Sequence, residues 1–397
     1  MNREKKGGAG ERGPRLADRK NCTGCGACAG VCPVKCIEMQ PDENGFFYPA
    51  ADLNACISCG ACERTCPVLQ PGQDAGDLPE AYAAYSLDEA VRARSSSGGI
   101  FSEIAEEALS EGGAVYGAAY DDGYAVYHRA VEKPGDLDLL RRAKYAESRL
   151  GNTFPEIRER LERGQTVLFS GTPCQIAGLR AFLQKDYDRL WCIDFVCHGV
   201  PSPAAWDRYI DYIGEKDGES GRPSEINMRD KISGWSRYRY SNVFRYPDGK
   251  EHRDISTQSL YMTFFINGCI TRFSCGDCRF KGYGRASDIT LGDFWGIWDI
   301  VPEMDDDQGI SAVLIHTEKG REIWGRIRNR IRAREVSLEE SSSQNPAMTV
   351  SAVLHSDREK ILKVIREKGF EKAVPLLSLK RPVWKRITGK LLRTFRS

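Results

Sequence analysis

Cys22-Thr-Gly-Cys25-Gly-Ala-Cys28-Ala-Gly-Val-Cys32-Pro33 recurs as Cys56-Ile-Ser-Cys59-Gly-Ala-Cys62-Glu-Arg-Thr-Cys66-Pro67. Three thiolates from a tight loop and a fourth from further along are what a cubane 4Fe-4S cluster requires of its ligands. Gly26 and Gly60 let each loop turn without a Cβ penalty, and Pro33 and Pro67 stop a helix from propagating past the motif. A pair of zinc knuckles is the rival reading, although zinc sites favour two well-separated Cys-x-x-Cys pairs.

In two-cluster ferredoxins the fourth cysteine of each run serves the other cluster. That rule assigns Cys22, Cys25, Cys28 and Cys66 to one cluster and Cys56, Cys59, Cys62 and Cys32 to the second, so the two copies form one bacterial-type 2x(4Fe-4S) ferredoxin-like domain. Cys36 falls where the pattern needs no ligand and reads as a small packing residue.

The chain is 397 residues long, too long for a ferredoxin alone. The expected organisation is a disordered tail over 1–15, the ferredoxin-type domain over 16–69, a Pro/Gly-rich linker over 70–80, a larger domain over 81–379 and a basic tail over 380–397. The fold class is α+β, the larger domain being α/β with a mixed sheet. A net charge of +1 offers no global field for nucleic acid. The N-terminus lacks an apolar signal segment, and no apolar run reaches the length of a membrane span. Fifteen cysteines without a signal segment point to a reducing, cytoplasmic setting. The tail from Lys380 carries seven basic and no acidic residues; a solvated helix, a partner contact and peripheral membrane contact all remain open for it.

The larger domain alternates helix and strand. Ser95-Ser96-Ser97-Gly98-Gly99 precedes a helical apolar stripe from Ile100. A hairpin over Ala114–Val131 is expected to turn at Gly123. The run Thr166–Phe169 predicts a buried strand leading to Gly171-Thr172-Pro173-Cys174 and a helix to Leu183. A second strand, Leu190–Val196, leads to Cys197-His198-Gly199-Val200-Pro201, with Ser202 as N-cap and Pro203 opening the next helix. Further on, a strand is expected over Arg285–Leu291, with a final strand and helix over Ser311–Arg332. Strand-end loops are where open α/β sheets bind ligands. Cys174 and Cys197 in two such loops, with Cys275 and Cys278, form a candidate third cluster site, for which zinc is the rival. Cys269 is a possible alternate ligand and Cys192 a core residue. Ser96, Ser97, Gly98 and Gly99 at a helix start suit a phosphate, with hydroxyl donors beside free amides, and Lys144 offers a nearby cation. Asp293, in an aromatic loop, either orients a heterocycle or caps a turn. A Cys197/His198 dyad is rejected, because adjacent residues rarely face one another. No catalytic residue is assigned.

Taken in order, Ser96-Ser97-Gly98-Gly99, Lys144-Tyr145, Gly171-Thr172-Pro173-Cys174-Gln175, Cys197-His198-Gly199-Val200-Pro201-Ser202, Cys275-Gly276-Asp277-Cys278 and Asp288-Ile289-Thr290-Leu291-Gly292-Asp293-Phe294-Trp295-Gly296 resemble the beta subunit of coenzyme F-420 (F420) hydrogenase/dehydrogenase, a family related to 7-hydroxymethyl chlorophyll a reductase. The resemblance spans about Ala81–Ile300. It implies FAD plus iron-sulfur clusters, with Ser96, Ser97, Gly98, Gly99 and Lys144 at the FAD and the loop cysteines on a third cluster. It also implies electron transfer with a redox partner protein or a small-molecule donor or acceptor, coenzyme F-420 being one such substrate. The expected function is an FAD-dependent iron-sulfur oxidoreductase; a non-catalytic electron-carrier or assembly subunit is the alternative.

Overall fold

The computed structural model describes residues 13–70, 78–219 and 221–377. The tail over 380–397, nearly all of the tail over 1–15 and most of the linker over 70–80 therefore lie outside the described residues.

At the N-terminal end, short helices Ala27–Val31 and Ala61–Thr65 pack against each other beside a two-stranded antiparallel ribbon, β1 (Ile37–Pro41) and β2 (Phe47–Ala51). Each helix starts at a left-handed glycine, Gly26 with φ 72° and Gly60 with φ 69°. Each ends at the cysteine before its proline, because Pro33 and Pro67 have no N–H to extend the ladder.

The remaining strands are β3 (Glu80–Ser86), β4 (Ala114–Tyr120), β5 (Val126–Val131), β6 (Val167–Gly171), β7 (Leu190–Phe195), β8 (Glu225–Asp230), β9 (Ser241–Arg245), β10 (Glu251–Ile255), β11 (Ile289–Asp293), β12 (Ser311–Ile315) and β13 (Ile331–Val336). Eight of them make one mixed sheet in the order β13-β3-β12-β11-β7-β6-β4-β5. Its centre, β4, β6, β7 and β11, is parallel, while β5, β12, β3 and β13 are added antiparallel. Val167, Leu168 and Phe169 are fully buried, as an unbroken apolar run must be when helices cover both faces of a parallel strand. Helix Ile100–Ser110 lays Ile100, Ile104 and Ala108 on the sheet, and helix Pro173–Leu183 lays Ile176, Leu179 and Phe182 there. Helix Pro203–Asp217 starts at Ser202, whose Oγ accepts from the Ala205 N–H at 3.0 Å, with Pro203 in its first turn.

The structure departs from the sequence reading in several places. The β4–β5 hairpin does turn at Gly123, with the Tyr124 N–H donating to the Asp121 carbonyl at 2.9 Å, but the left-handed residue is Tyr124 (φ 64°), and Asp121 Oδ1 accepts from the Gly123 and Ala125 amides. The strand expected from Arg285 begins only at Ile289; Arg285 is buried instead against Asp194, at 3.3 Å. Ser311 to Arg332 does not close the fold: β13 follows on the far side of β3. Residues 225–255, which offered no pattern in sequence, form a second antiparallel sheet in the order β10-β9-β8.

In that second sheet the His252 imidazole lies between two carboxylates, its Nδ1 3.0 Å from Asp217 and its Nε2 3.0 Å from Asp254. Burial opposes the charged ring, but the two carboxylates outweigh it and the pKa rises above the ordinary 6.5. Raised in the folded state, it adds stability that is complete below about pH 6.5 and fades as the pH climbs through the higher folded value. His252→Gln is therefore expected to lower the thermal midpoint at pH 6 and to have progressively less effect toward pH 9, as read by unfolding at each pH.

Candidate functional site: a cysteine set beside a large cavity

The parallel pairing of β6 with β7 sets Gly171 opposite Asp194, so the loops that follow run side by side. A capping box opens the helix after β6, with the Thr172 N–H donating to Gln175 Oε1 at 2.9 Å. It fixes Cys174 in the first turn. Cys197 comes from the loop after β7. Cys275 and Cys278 arrive from the short turn Phe273–Asp277, which residues 351–352 back: the Ala352 N–H donates to the Cys275 carbonyl and the Cys278 N–H to Ser351 Oγ. These four cysteines line one small cavity. The Cys174 thiol is held up first by burial and then by the neighbouring Cys278, Cys197 and Cys275. Lys281 donates to the carbonyls of Cys197 and Ala347, tying the loops together.

The ferredoxin-type cysteines fall into two groups in space. Cys25 is pushed up to about 11 by burial, with Cys22 and Cys66 beside it, and Cys28 neighbours the same three thiols. Cys32, Cys56, Cys59 and Cys62 line a separate niche near the surface. Among the described residues, no three or more His, Cys, Asp or Glu side chains are grouped as they would be around a single metal ion. Cys36 is buried in the second niche, its Sγ 3.4 Å from that of Cys32. Cys192 is fully buried in β7. Cys269 does not reach the third set: it is fully buried among Tyr261, Phe264 and Phe265, and burial raises its thiol to about 12.

Beside the third set lies a cavity of about 710 Å³, within the range of cofactor sites. Thr23, Cys174, Cys197 and His198 belong to the walls of both spaces. Gly99, Ile100 and Phe101 line the cavity, so the first turn of helix Ile100–Ser110 opens its unbonded N–H groups onto it. Lys144 also lines it, donating to the carbonyls of Leu139 and Arg141 at 3.1 and 2.5 Å. It has no carboxylate partner among the described residues, and burial brings its pKa down to about 7. An anion bound beside it would restore the charge.

The serine hydroxyls are less available than the sequence suggested. Ser97 Oγ donates to the Ile310 carbonyl, and Ser96 Oγ accepts from the Ala143 N–H. Gly98 is packed rather than open: a Cβ there would lie 2.3 Å from the Ala84 carbonyl oxygen. Asp293 neither caps a turn nor stands free, because both its oxygens accept from Arg229, at 2.8 and 3.0 Å.

Arg229, on β8, is the residue that sequence reasoning missed. It is buried, reaches the Ser96 carbonyl at 3.4 Å, and lies over the Tyr240 ring at 4.2 Å and the Trp295 ring at 5.2 Å. Trp235 Nε1 donates to the same carbonyl at 3.1 Å. Thus the second sheet holds the phosphate-type loop in place. No motif signalled this; a lone arginine in an Asn-Met-Arg-Asp run carries none.

Residues 164–341 match the family described as the C terminus of the coenzyme F420 hydrogenase/dehydrogenase beta subunit, and residues 21–69 match the 4Fe-4S dicluster domain. A stretch that matches a dicluster iron-sulfur domain thus precedes one that matches the C terminus of the F420 hydrogenase/dehydrogenase beta subunit, a pairing consistent with an oxidoreductase role. A chain of the F420-reducing [NiFe] hydrogenase complex from Methanosarcina barkeri is similar at 17% identity and a TM-score of 0.46, over 77% of this chain and 94% of that one. No curated protein matches. No helix among the described residues is long and apolar enough to cross a membrane.

Losing one partner of a buried, hydrogen-bonded pair leaves the other charge uncompensated, at about 3–5 kcal/mol. Arg229→Gln is expected to destabilise the protein by that order in denaturant unfolding, and adding Asp293→Asn should recover part of the loss, the signature of direct coupling.

Proposed function

We propose that the protein is an FAD-dependent iron-sulfur oxidoreductase, passing electrons between the clusters of its N-terminal domain and a two-electron substrate in the large cavity. The observation that carries the reading is the wall that the cavity shares with the third cysteine set through Cys174, Cys197 and His198. Cys22, Cys25, Cys28 and Cys66 would hold one 4Fe-4S cluster, Cys32, Cys56, Cys59 and Cys62 a second, and Cys174, Cys197, Cys275 and Cys278 a third. All three sets are thiols alone, the donor chemistry of iron-sulfur ligation.

A flavin bound in the cavity supplies exchange of electron pairs with a substrate and of single electrons with the clusters. The chain's own part is to bind and orient. The first turn of helix Ile100–Ser110 and Lys144 would take the diphosphate. Arg229, fixed by Asp293 and stacked on Tyr240 and Trp295, anchors the Ser96–Gly99 loop through the Ser96 carbonyl at 3.4 Å. His128 lines the cavity as a neutral ring, its pKa lowered by burial to about 4, with Nε2 3.0 Å from the Ser170 carbonyl and Nδ1 2.6 Å from Ser148 Oγ. It orients neighbours rather than supplying charge. A deazaflavin of the F420 kind is the two-electron partner that the family's description suggests, and a partner redox protein would exchange electrons at the surface niche where Cys59 is exposed.

Anaerobic purification and reconstitution test the reading. The expected yield is one extractable FAD and about twelve irons per chain, four for each cubane; Cys174→Ser should remove about four of them. Lys144→Gln should weaken FAD binding tenfold or more, the loss of a charge-assisted hydrogen bond worth about 1.5–3 kcal/mol. Failure of the reconstituted protein to retain any flavin overturns the proposal.

A further inference from the structure

We propose that Arg272 and Glu147 together set the reduction potential of the cluster carried by Cys22, Cys25, Cys28 and Cys66, Arg272 raising it and Glu147 lowering it. The inference rests on the cluster reading given above.

Arg272 is 1% exposed, so its donors find their partners within the protein. Its Nε donates to the Cys22 carbonyl at 3.0 Å, its Nη2 to the Phe47 carbonyl at 2.9 Å, and its Nη1 to Glu147 Oε2 at 2.7 Å. The same Nη2 stands 3.9 Å from Cys22 Sγ. The guanidinium lies 4.1 Å over the Tyr48 ring, which closes it off from water. Glu147 Oε1 accepts from the Phe47 N–H at 3.2 Å.

Both groups press on the loop that carries the first two ligands. Gly24, between Cys22 and Cys25, has φ 75°, and a Cβ there would meet Glu147 Oε1 at 2.7 Å and Arg272 Nη1 at 3.0 Å. A side chain at that position is incompatible with the ion pair. On the opposite side of the loop, Cys25 Sγ lies 3.0 Å from where a Cβ of Gly178 would be. Gly178 sits one helical turn beyond Cys174 on the same helix. Arg272 also precedes Cys275 in its turn, and its carbonyl accepts from the Cys275 N–H at 3.2 Å. One residue therefore braces ligand loops of two sites.

The sign follows from charge. Reduction adds one electron to a cluster, and a cation in a dry site beside a ligating sulfur favours the reduced state, whereas a carboxylate opposes it. Arg272 and Glu147 are the charged side chains that bear on Cys22. The guanidinium donates along the Cys22 backbone and faces the sulfur, while the carboxylate is turned toward Gly24, so the pair does not cancel at the cluster.

Redox titration of the full-length, anaerobically reconstituted protein, followed by electron paramagnetic resonance, reads each cluster separately. Arg272→Gln is expected to lower the midpoint of this cluster, by tenfold or more in the reduced-to-oxidised ratio at fixed potential, about 59 mV for a one-electron couple. Glu147→Gln is expected to raise it, and Arg272→Lys, which keeps the charge, to restore most of the shift. The cluster of Cys32, Cys56, Cys59 and Cys62, whose niche neither residue lines, should not move. Loosened packing alone would push both variants the same way, so same-direction shifts overturn the inference, as does an unmoved midpoint in Glu147→Gln, the variant that keeps a neutral acceptor for Arg272. A wild-type chain that takes up no iron at these cysteines overturns the cluster reading and this inference with it.

Discussion

The parallel pairing of β6 with β7 is the constraint on which the rest depends. Two adjacent parallel strands must end at the same edge of the sheet, so whatever loops follow them meet there. Here one loop runs straight into a capped helix and the other stays irregular, and each carries a cysteine. The large cavity lies at that edge, and the third cysteine set shares its wall. The N-terminal loops then dock on the same helix, where Gly178 leaves room for Cys25. The third cysteine set and the cavity thus meet at the start of one helix, and the Cys25 loop docks further along it.

Irregular loops do not hold themselves in place, and here buried ion pairs supply the bracing. Arg229 with Asp293 fixes the Ser96 loop from one side, and Lys231 donates to the Ser97 carbonyl at 2.7 Å from another. Arg272 with Glu147 fixes the Cys22 loop against the larger domain, and Arg285 with Asp194 fixes the segment entering β11. A buried pair of this kind contributes little net stability, because desolvation offsets most of its attraction. Its value is directional: a bidentate guanidinium admits few geometries, and the loops it bonds inherit that restriction. These pairs lie where loops from distant parts of the chain must hold a defined spacing.

The cysteine repeats were legible in sequence because their geometry is local: four ligands within eleven residues, with glycine and proline at the positions that the loop requires. The strand-loop-helix units at Cys174 and Cys197 were legible for the same reason, through apolar runs and helix-start signals. The second sheet was not. β8 reads Glu-Ile-Asn-Met-Arg-Asp, an alternation too short to mark a strand, and its polar face, Asn227 and Arg229, is buried as well as its apolar face, Ile226 and Met228, because that face meets a polar site rather than solvent. The strands after residue 301 were underread because their place in the sheet, on either side of β3, rests on pairing with a segment more than two hundred residues earlier. Cys269 looked like a ligand by proximity in sequence, but helix Leu260–Ile266 turns it into an aromatic core.

By itself, the sequence determined the iron-sulfur chemistry of the N-terminal domain and the strand-loop-helix units that carry Cys174 and Cys197, since each follows from spacing within a few residues. Only the tertiary structure decided which polar groups are free to act. Ser96, Ser97 and Asp293 are largely engaged within the protein, Lys144 faces the cavity without a carboxylate partner among the described residues, and Arg229 and Arg272, which no motif marks, hold the loops. Such assignments depend on who meets whom across hundreds of residues, and hydrogen-bond partners at that range leave no periodicity in a sequence.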